Sequence, residues 1–330
     1  MLQCLRVLAT LVGVFFLVWG ALALYYRLHV PPLAAYALVG LWSLASLGAL
    51  VLLWRTAWAG YAVLALLLSA LLIWWGNLTP SNTRDWADDV AHTLTGRISE
   101  QQVHLVGVRN FAWQSERDYQ IRWQDQDYAL DQVQTVDVIT SHWGMPAIAH
   151  VIVSFGLSDG RYLAFSVETR KERHEAYSEL GGFFKEYELS VIAADERDVL
   201  GVRANVRGED LYLYRLNVSP KTAQKLFVSY VEKANELAQK PVFYHTLTAN
   251  CTTVVFAMVK PLAGHLPFDY RLLLTGFLAG YLYDLEALQM DQPLETLRAQ
   301  GRITDKAIQA INAPDFSRQI RQGIPGIDAP

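Results

Sequence analysis

The sequence predicts an α+β domain built on an antiparallel sheet and preceded by three transmembrane helices. Two observations lead there. The first eighty residues contain no acidic residue and no lysine, only Arg6, Arg27 and Arg55, which cut them into three apolar runs. Beyond them, β-like runs mostly come before helical ones, an order that fits α+β better than an alternating α/β chain.

The apolar runs cover about 7–26, 32–54 and 57–76, each near the roughly 20 residues that cross about 30 Å of hydrocarbon. Tyr25, Tyr26, Trp54, Trp58, Trp74 and Trp75 fall near their ends, as an interfacial aromatic belt does. A cleaved signal peptide accounts for one run at most. Residues 1–79 are therefore expected to form a membrane anchor and residues 80–330 one further domain. Arg6 and Arg55 share one side against Arg27 alone, so the positive-inside bias puts the N-terminus in the cytoplasm and the large domain outside it. A compact helical anchor without eukaryotic sorting motifs points to a multi-pass protein of a bacterial inner membrane, with its domain in the periplasm.

In the larger part, a helix is expected around Asn82–Leu94, with Asn82 as its cap. Strands are expected at Val103–Val108, Tyr119–Trp123, Val133–Ile139, the run that opens at His150, Tyr162–Val167, Tyr187–Ala193 and Leu211–Leu216. Asp159-Gly160 marks a hairpin between the fourth and fifth of these. Ser219-Pro220 caps and opens a helix to about Ala238. Another helix begins at Cys251 and is expected to stop at Pro261. The apolar stretch Leu272–Tyr283 is too short to span a bilayer; it reads either as a core helix or as a surface that dips into the outer leaflet and admits an acyl chain.

Composition excludes some functions. The formal charge is −4, and without the three anchor arginines the remainder carries about −7, with no basic stripe. Nucleic-acid partners are not expected. No His-Glu-x-x-His, paired-cysteine motif or phosphate-binding glycine loop is present, so neither a metal nor another cofactor is expected.

The richest chemistry lies at Asn250-Cys251-Thr252-Thr253. A thiol at a helix N-terminus meets unpaired N–H groups and the positive end of the helix dipole, which favour thiolate. Cys4 falls at the cytoplasmic end of the anchor and cannot pair with Cys251, leaving a free thiol in an oxidising compartment. His150, opening a strand, offers a base on a rigid element. Strand alternation places His150, Ile152 and Ser154 on one face, and Ser166, Glu168 and Arg170 together on the partner strand. Glu168 then either orients the imidazole or pairs structurally with Arg170 or Arg173. Asn250 and Tyr244 are candidate oxyanion donors beside the Cys251 N–H, and Asn250 is equally a helix cap. Cys251 itself also reads as a small core residue. His142, His174, His245 and His265 read as loop or surface residues. Asp195-Glu196-Arg197-Asp198 reads as a turn with local ion pairs.

Four segments resemble the periplasmic domain family typified by the N-terminal region of Lnb, the bacterial lipoprotein N-acyltransferase: Val108–Phe111, the Ala149-His150 strand, Ser166–Glu172 and Phe243–Thr253. The likeness spans roughly residues 100–290. It implies a permuted papain-like (NlpC-like) thiol fold, histidine before cysteine, and acyl transfer with Cys251 as nucleophile, His150 as general base and Glu168 as orienter. The anchor lies outside it, and no second membrane domain is expected after it, which bears on the substrate more than on the thiol chemistry.

Three functions follow. A membrane-anchored acyltransferase or hydrolase would act on membrane lipid, a lipoprotein or a lipopeptide. A papain-like peptidase or amidase would act on cell-wall peptide. A non-catalytic envelope module would carry a vestigial thiol site.

Overall fold

The structure, a computed structural model, describes residues 2–28, 30–264 and 266–327. It divides into two compact units, Met1–Ser81 with Tyr177–Tyr187, and the remainder.

The first unit holds α1 (Leu2–Arg27), α2 (Pro32–Arg55) and α3 (Ala57–Asn77). All three are long and apolar enough to cross a membrane. Their side chains face outward along most of their length, which suits surroundings as apolar as the helices themselves. The segment Tyr177–Tyr187 packs within this unit: Phe184 stacks on Tyr26 at 5.7 Å, and the Lys185 ammonium donates to the Trp75 carbonyl at 2.9 Å.

The second unit is a mixed α+β domain. Its strands in chain order are β1 (Thr95–Ser99), β2 (Gln102–Arg109), β3 (Ala112–Trp113), β4 (Tyr119–Gln120), β5 (Trp123–Ala129), β6 (Val133–His142), β7 (Ala149–Leu157), β8 (Tyr162–Arg170), β9 (Glu188–Ala194) and β10 (Asp210–Arg215). An eight-stranded sheet runs β1-β2-β9-β8-β7-β6-β10, with β5 also paired to β2, while β3 and β4 form a small separate ribbon. Every pairing is antiparallel except the single β2–β9 bridge at Arg109 and Ala194. The β7–β8 hairpin turns at Asp159-Gly160, where Gly160 sits at φ +87°, a conformation glycine adopts without strain.

Period-two alternation sends β7 to two different cores. Val151, Val153 and Phe155 face one cluster with Phe165, Phe227 and Tyr230. Over that face lie α5 (Pro220–Gln239), capped by the Ser219 hydroxyl on the Thr222 N–H, and α6 (Cys251–Ala263). Ile152 faces the other cluster. There the short helices α4 (Glu196–Gly201), α9 (Thr304–Gln309) and α10 (Phe316–Gln319) cover the sheet, whereas α7 (Leu278–Asp284) and α8 (Leu294–Gly301) pack beside Tyr214 and Leu288 in a smaller cluster.

Four local expectations need correction. Asn82–Leu94 is not a helix beyond the single turn Asp88–Val90; the Arg170 guanidinium takes the carbonyls of Val90 and Ala91 and the Asn82 side chain, so these groups are satisfied without helical bonding. The run expected at Tyr119–Trp123 breaks after Gln120, and a new strand starts at Trp123. Helix α6 continues past Pro261 to Ala263. Asp195 is the N-cap of α4, and Glu196 and Asp198 are buried rather than turn residues.

Those buried acids find distant partners. Asp198 accepts from Arg109 at 2.9 Å, from the Phe111 N–H and from the Trp113 indole. Arg321 lies between Asp137 and Glu196, with bonds of 2.8 Å to each and a closer one of 2.5 Å to Glu196. Removing one partner of such a buried set leaves charge without compensation. Arg321→Met is expected to destabilise the domain by about 3–5 kcal/mol, read as a lower urea midpoint of the full chain in detergent. Arg318→Met, at an exposed pair with Asp315, should leave the midpoint where it is.

Candidate active site

The site forms where β7 and β8 part. Their register runs from Gly156–Tyr162 only as far as Ile152–Ser166. Beyond that point β8 continues to Arg170 paired with β9, while β7 continues to Ala149 paired with β6. His150 and Val151 therefore have no partner residue on β8 in the register. Helix α6 packs against both strands, and its first residue, Cys251, reaches this gap. The thiol lies beside the His150 side chain and the Val151 main chain, which both draw its pKa down, and its sulfur is 3.7 Å from the Thr252 hydroxyl. The Val151 main chain, beyond the end of the β7–β8 register, thus lies on the side of the sulfur.

Asn250 holds the helix end in place. Its Oδ1 accepts from the N–H groups of Thr252 at 2.9 Å and Thr253 at 2.8 Å, and the Thr253 hydroxyl accepts from the Asn250 N–H at 3.0 Å, a complete capping box. The Asn250 Nδ2 donates to the Thr246 carbonyl at 2.6 Å. The cap takes up the second and third N–H groups of the helix and leaves out that of Cys251, the one nearest the sulfur. Tyr244 packs with Cys251 among the half-buried residues against the larger core.

On its other side the imidazole meets an acceptor relay. His150 Nε2 lies 2.6 Å from the Ser166 hydroxyl and 3.2 Å from Glu168 Oε1, and Ser166 donates to the same carboxylate oxygen at 2.7 Å. Because Nε2 is engaged there, Nδ1 is the nitrogen left for the thiol. Arg203 Nη2 donates to Glu168 at 3.0 Å, and its Nη1 donates to Glu209 at 3.2 Å. Glu209 in turn accepts from the Ser141 hydroxyl. Arg203 comes from a π-helical turn, Val202–Val206, that continues α4. Irregular turns of this kind recur at functional sites.

The electrostatics follow from these contacts. Burial works against a charged His150, but the Glu168 carboxylate outweighs both burial and the opposing Arg203 charge and raises the imidazole to about 9. Burial also raises the Cys251 thiol; the hydrogen bond and charge of His150, with the Val151 N–H, reverse this and bring it below its ordinary value. Burial alone would raise Glu168, and the His150 and Arg203 charges hold it well below the usual carboxylate range. The arrangement favours a thiolate–imidazolium pair. The folded chain holds the imidazole proton more tightly than an unfolded chain would. Its contribution to stability is therefore complete below pH 6.5 and is lost as pH rises through about 9.

The structure thus brings Cys251, His150 and Glu168 together, and Asn250 beside them as the cap. Glu168 pairs with neither Arg170 nor Arg173: the first lies over Trp86 at 4.5 Å and the second reaches Asp88 at 2.8 Å. Ser166, Arg203, Glu209 and the Val151 N–H were not anticipated as site members. Strand alternation already put Ser166 on the Glu168 face, a usable signal; Arg203 carries none, being 35 residues from its partner. Of the remaining histidines, His142 is a strand residue opposite Ala149, not a loop residue. His174 is exposed and lies 4.0 Å from Glu172, and His245 forms an isolated bridge with Ala249 in the loop before α6. His265 lies outside the described residues.

In a Cys4→Ser chain, alkylation of Cys251 should titrate below the ordinary thiol value of about 8.5. His150→Ala should move the midpoint upward, since burial is then opposed only by the Val151 main chain and the Thr252 hydroxyl, and Glu168→Gln should move it part of the way. A midpoint insensitive to both substitutions would dissolve the pair.

Residues 119–276 match the family described as the Lnb N-terminal periplasmic domain. No curated protein and no solved structure matches the chain. The matched span contains every residue of the thiol site, from Ser141 to Cys251, and the three apolar helices stand outside it. Residues 119–276 of the chain are thus similar to the Lnb N-terminal periplasmic domain, and three helices long and apolar enough to cross a membrane precede them.

Proposed function

We propose that this chain is a thiol acyltransferase or hydrolase of the bacterial inner membrane, working on the periplasmic side on a lipoprotein or another acylated, lipid-linked substrate. The observation that carries the reading is a thiol at the first residue of α6 beside a buried His150 whose Nε2 lies 2.6 Å from Ser166 and 3.2 Å from Glu168. The order of histidine strand before cysteine helix, with the helix packed on the sheet, supports a permuted papain-like arrangement.

The Cys251 thiolate attacks an ester carbonyl carbon, and the carbonyl oxygen becomes an oxyanion. The Cys251 N–H, left outside the Asn250 cap, is positioned to donate to it, and Tyr244 is the candidate second donor. Collapse breaks the ester bond. His150 gives its proton to the leaving alcohol, and an acyl-thioester remains on Cys251. His150, now neutral, takes a proton from an incoming amine or water as that nucleophile attacks the thioester, and the thiolate leaves. Through both steps Glu168, bonded to Ser166 and Arg203, holds the imidazole orientation and stabilises its charged form.

The test is intact-mass analysis of the full chain incubated in vesicles with a diacylated lipopeptide. An added acyl mass on Cys251 is expected, absent in Cys251→Ala, with acylation slowed roughly a hundred- to ten-thousandfold in His150→Ala. No adduct with lipopeptide, together with release of fragments from purified wall peptide, would replace this reading with the peptidase.

A further inference from the structure

Three segments adjoin the thiol site through chain connection or the Thr275–Ala149 contact, and none carries a formal charge along its run: 138–149, 241–259 and 272–283. They also hold or adjoin most of the domain's exposed large apolar side chains. Phe268 is 64% exposed, Tyr270 63%, Met145 60% and Leu247 47%, with Leu274 and Phe277 at 38% each. The charges beside its exposed rings balance, since Arg271 is bound to Asp269 and Asp284 and Lys260 lies over the Phe256 ring at 5.9 Å. Exposed apolar side chains gathered on neighbouring segments mark an interaction surface.

The strip is fixed to the catalytic strand. The Thr275 hydroxyl accepts from the Ala149 N–H at 2.9 Å and donates to the Ala149 carbonyl, one residue before His150. The Gly276 N–H donates to the Ala147 carbonyl at 2.9 Å. A side chain at Gly276 would place its Cβ 1.9 Å from the Pro146 carbonyl oxygen, so only glycine allows these two loops to meet. On the α6 side, Phe268 packs edge-to-face on Phe256 with centroids 6.0 Å apart. The exposed rings are thus held in place rather than carried on loose loops.

We infer that this uncharged strip seats in the outer surface of the lipid bilayer, so that Cys251 opens towards acyl chains in the membrane rather than towards the aqueous periplasm. The occupant follows from covalent geometry and side-chain chemistry. Helix α3 ends at Asn77 and the domain begins at Asn82, a link that at roughly 3.5 Å per residue cannot extend beyond about 18 Å. With α3 spanning the bilayer, as the proposed function has it, Asn82 stays within that reach of the end of α3. Phe, Tyr, Leu and Met side chains without net charge suit the boundary between headgroup and acyl chain. The strip carries no excess of basic residues, so seating depends on apolar burial and not on anionic lipid.

The purpose assigned to this surface rests on the acyl-transfer reading; its seating does not, and the test reads depth alone. The full chain with Cys4→Ser and Cys251→Ser is placed in nanodiscs of phosphatidylethanolamine and phosphatidylglycerol. Single cysteines at Phe268→Cys, Tyr270→Cys or Leu274→Cys carry a bimane label, and lipids spin-labelled on the acyl chain act as quenchers. Ile308→Cys, on the opposite side of the sheet, is the control. Quenching several-fold stronger at the three strip positions than at Ile308→Cys, and unchanged when phosphatidylglycerol is omitted, is expected. Equal quenching at all four positions overturns the inference, as does an apolar label environment without quenching accompanied by cross-linking between copies.

Discussion

The parting of β7 from β8 is the constraint on which the rest of the site depends. A fully zipped hairpin would pair the Val151 N–H with β8 and close the space at the strand ends. By ending the register at Ile152–Ser166, the fold releases one main-chain donor and admits the first turn of α6. The sulfur then reaches from the face that carries α5 and α6 to the face that carries His150, Ser166 and Glu168. Without the split, cysteine and histidine would belong to opposite sides of one sheet.

That geometry requires buried charge on the histidine side. A protonated imidazole away from water is costly unless an anion stands beside it, and the same is true of the anion. Glu168 answers the first need, and Arg203, Ser166 and the Glu209–Ser141 contact answer the second. The cluster of Arg321, Asp137 and Glu196 further along the same face follows the same logic with no reacting group in it. The domain is therefore built with one apolar face, where stability arises from packing of Phe155, Phe165 and Phe227, and one face where ion pairs share the interior with a smaller apolar cluster.

Much of this was legible in the sequence, for local reasons. Hydropathy delimited three helices long and apolar enough to cross a membrane, alternation separated Val151, Val153 and Phe155 from His150, Ile152 and Ser154, and the Asp159-Gly160 turn joined two strands correctly. Asn250 announced a helix start because a side-chain amide oxygen is suited to that place. What stayed hidden depended on distant partners. Asn82–Leu94 looks helical until Arg170 claims its carbonyls, and Asp195–Asp198 looks like a solvated turn until Arg109 and Arg321 arrive from elsewhere. Arg203 could not be found at all: a π turn displaces it from the helical face its position suggests, and Glu168 is reached only through the fold.

The donor that meets the Cys251 sulfur from β7 belongs to the peptide backbone, and this gives the site an unusual robustness to sequence drift. Any of nineteen residue types at position 151 supplies the same N–H, and only proline deletes it. A survey that replaces side chains one at a time with alanine would pass over this group entirely. The part of the site contributed by strand geometry is thus shielded from point mutation, while the part contributed by His150, Ser166 and Glu168 is not.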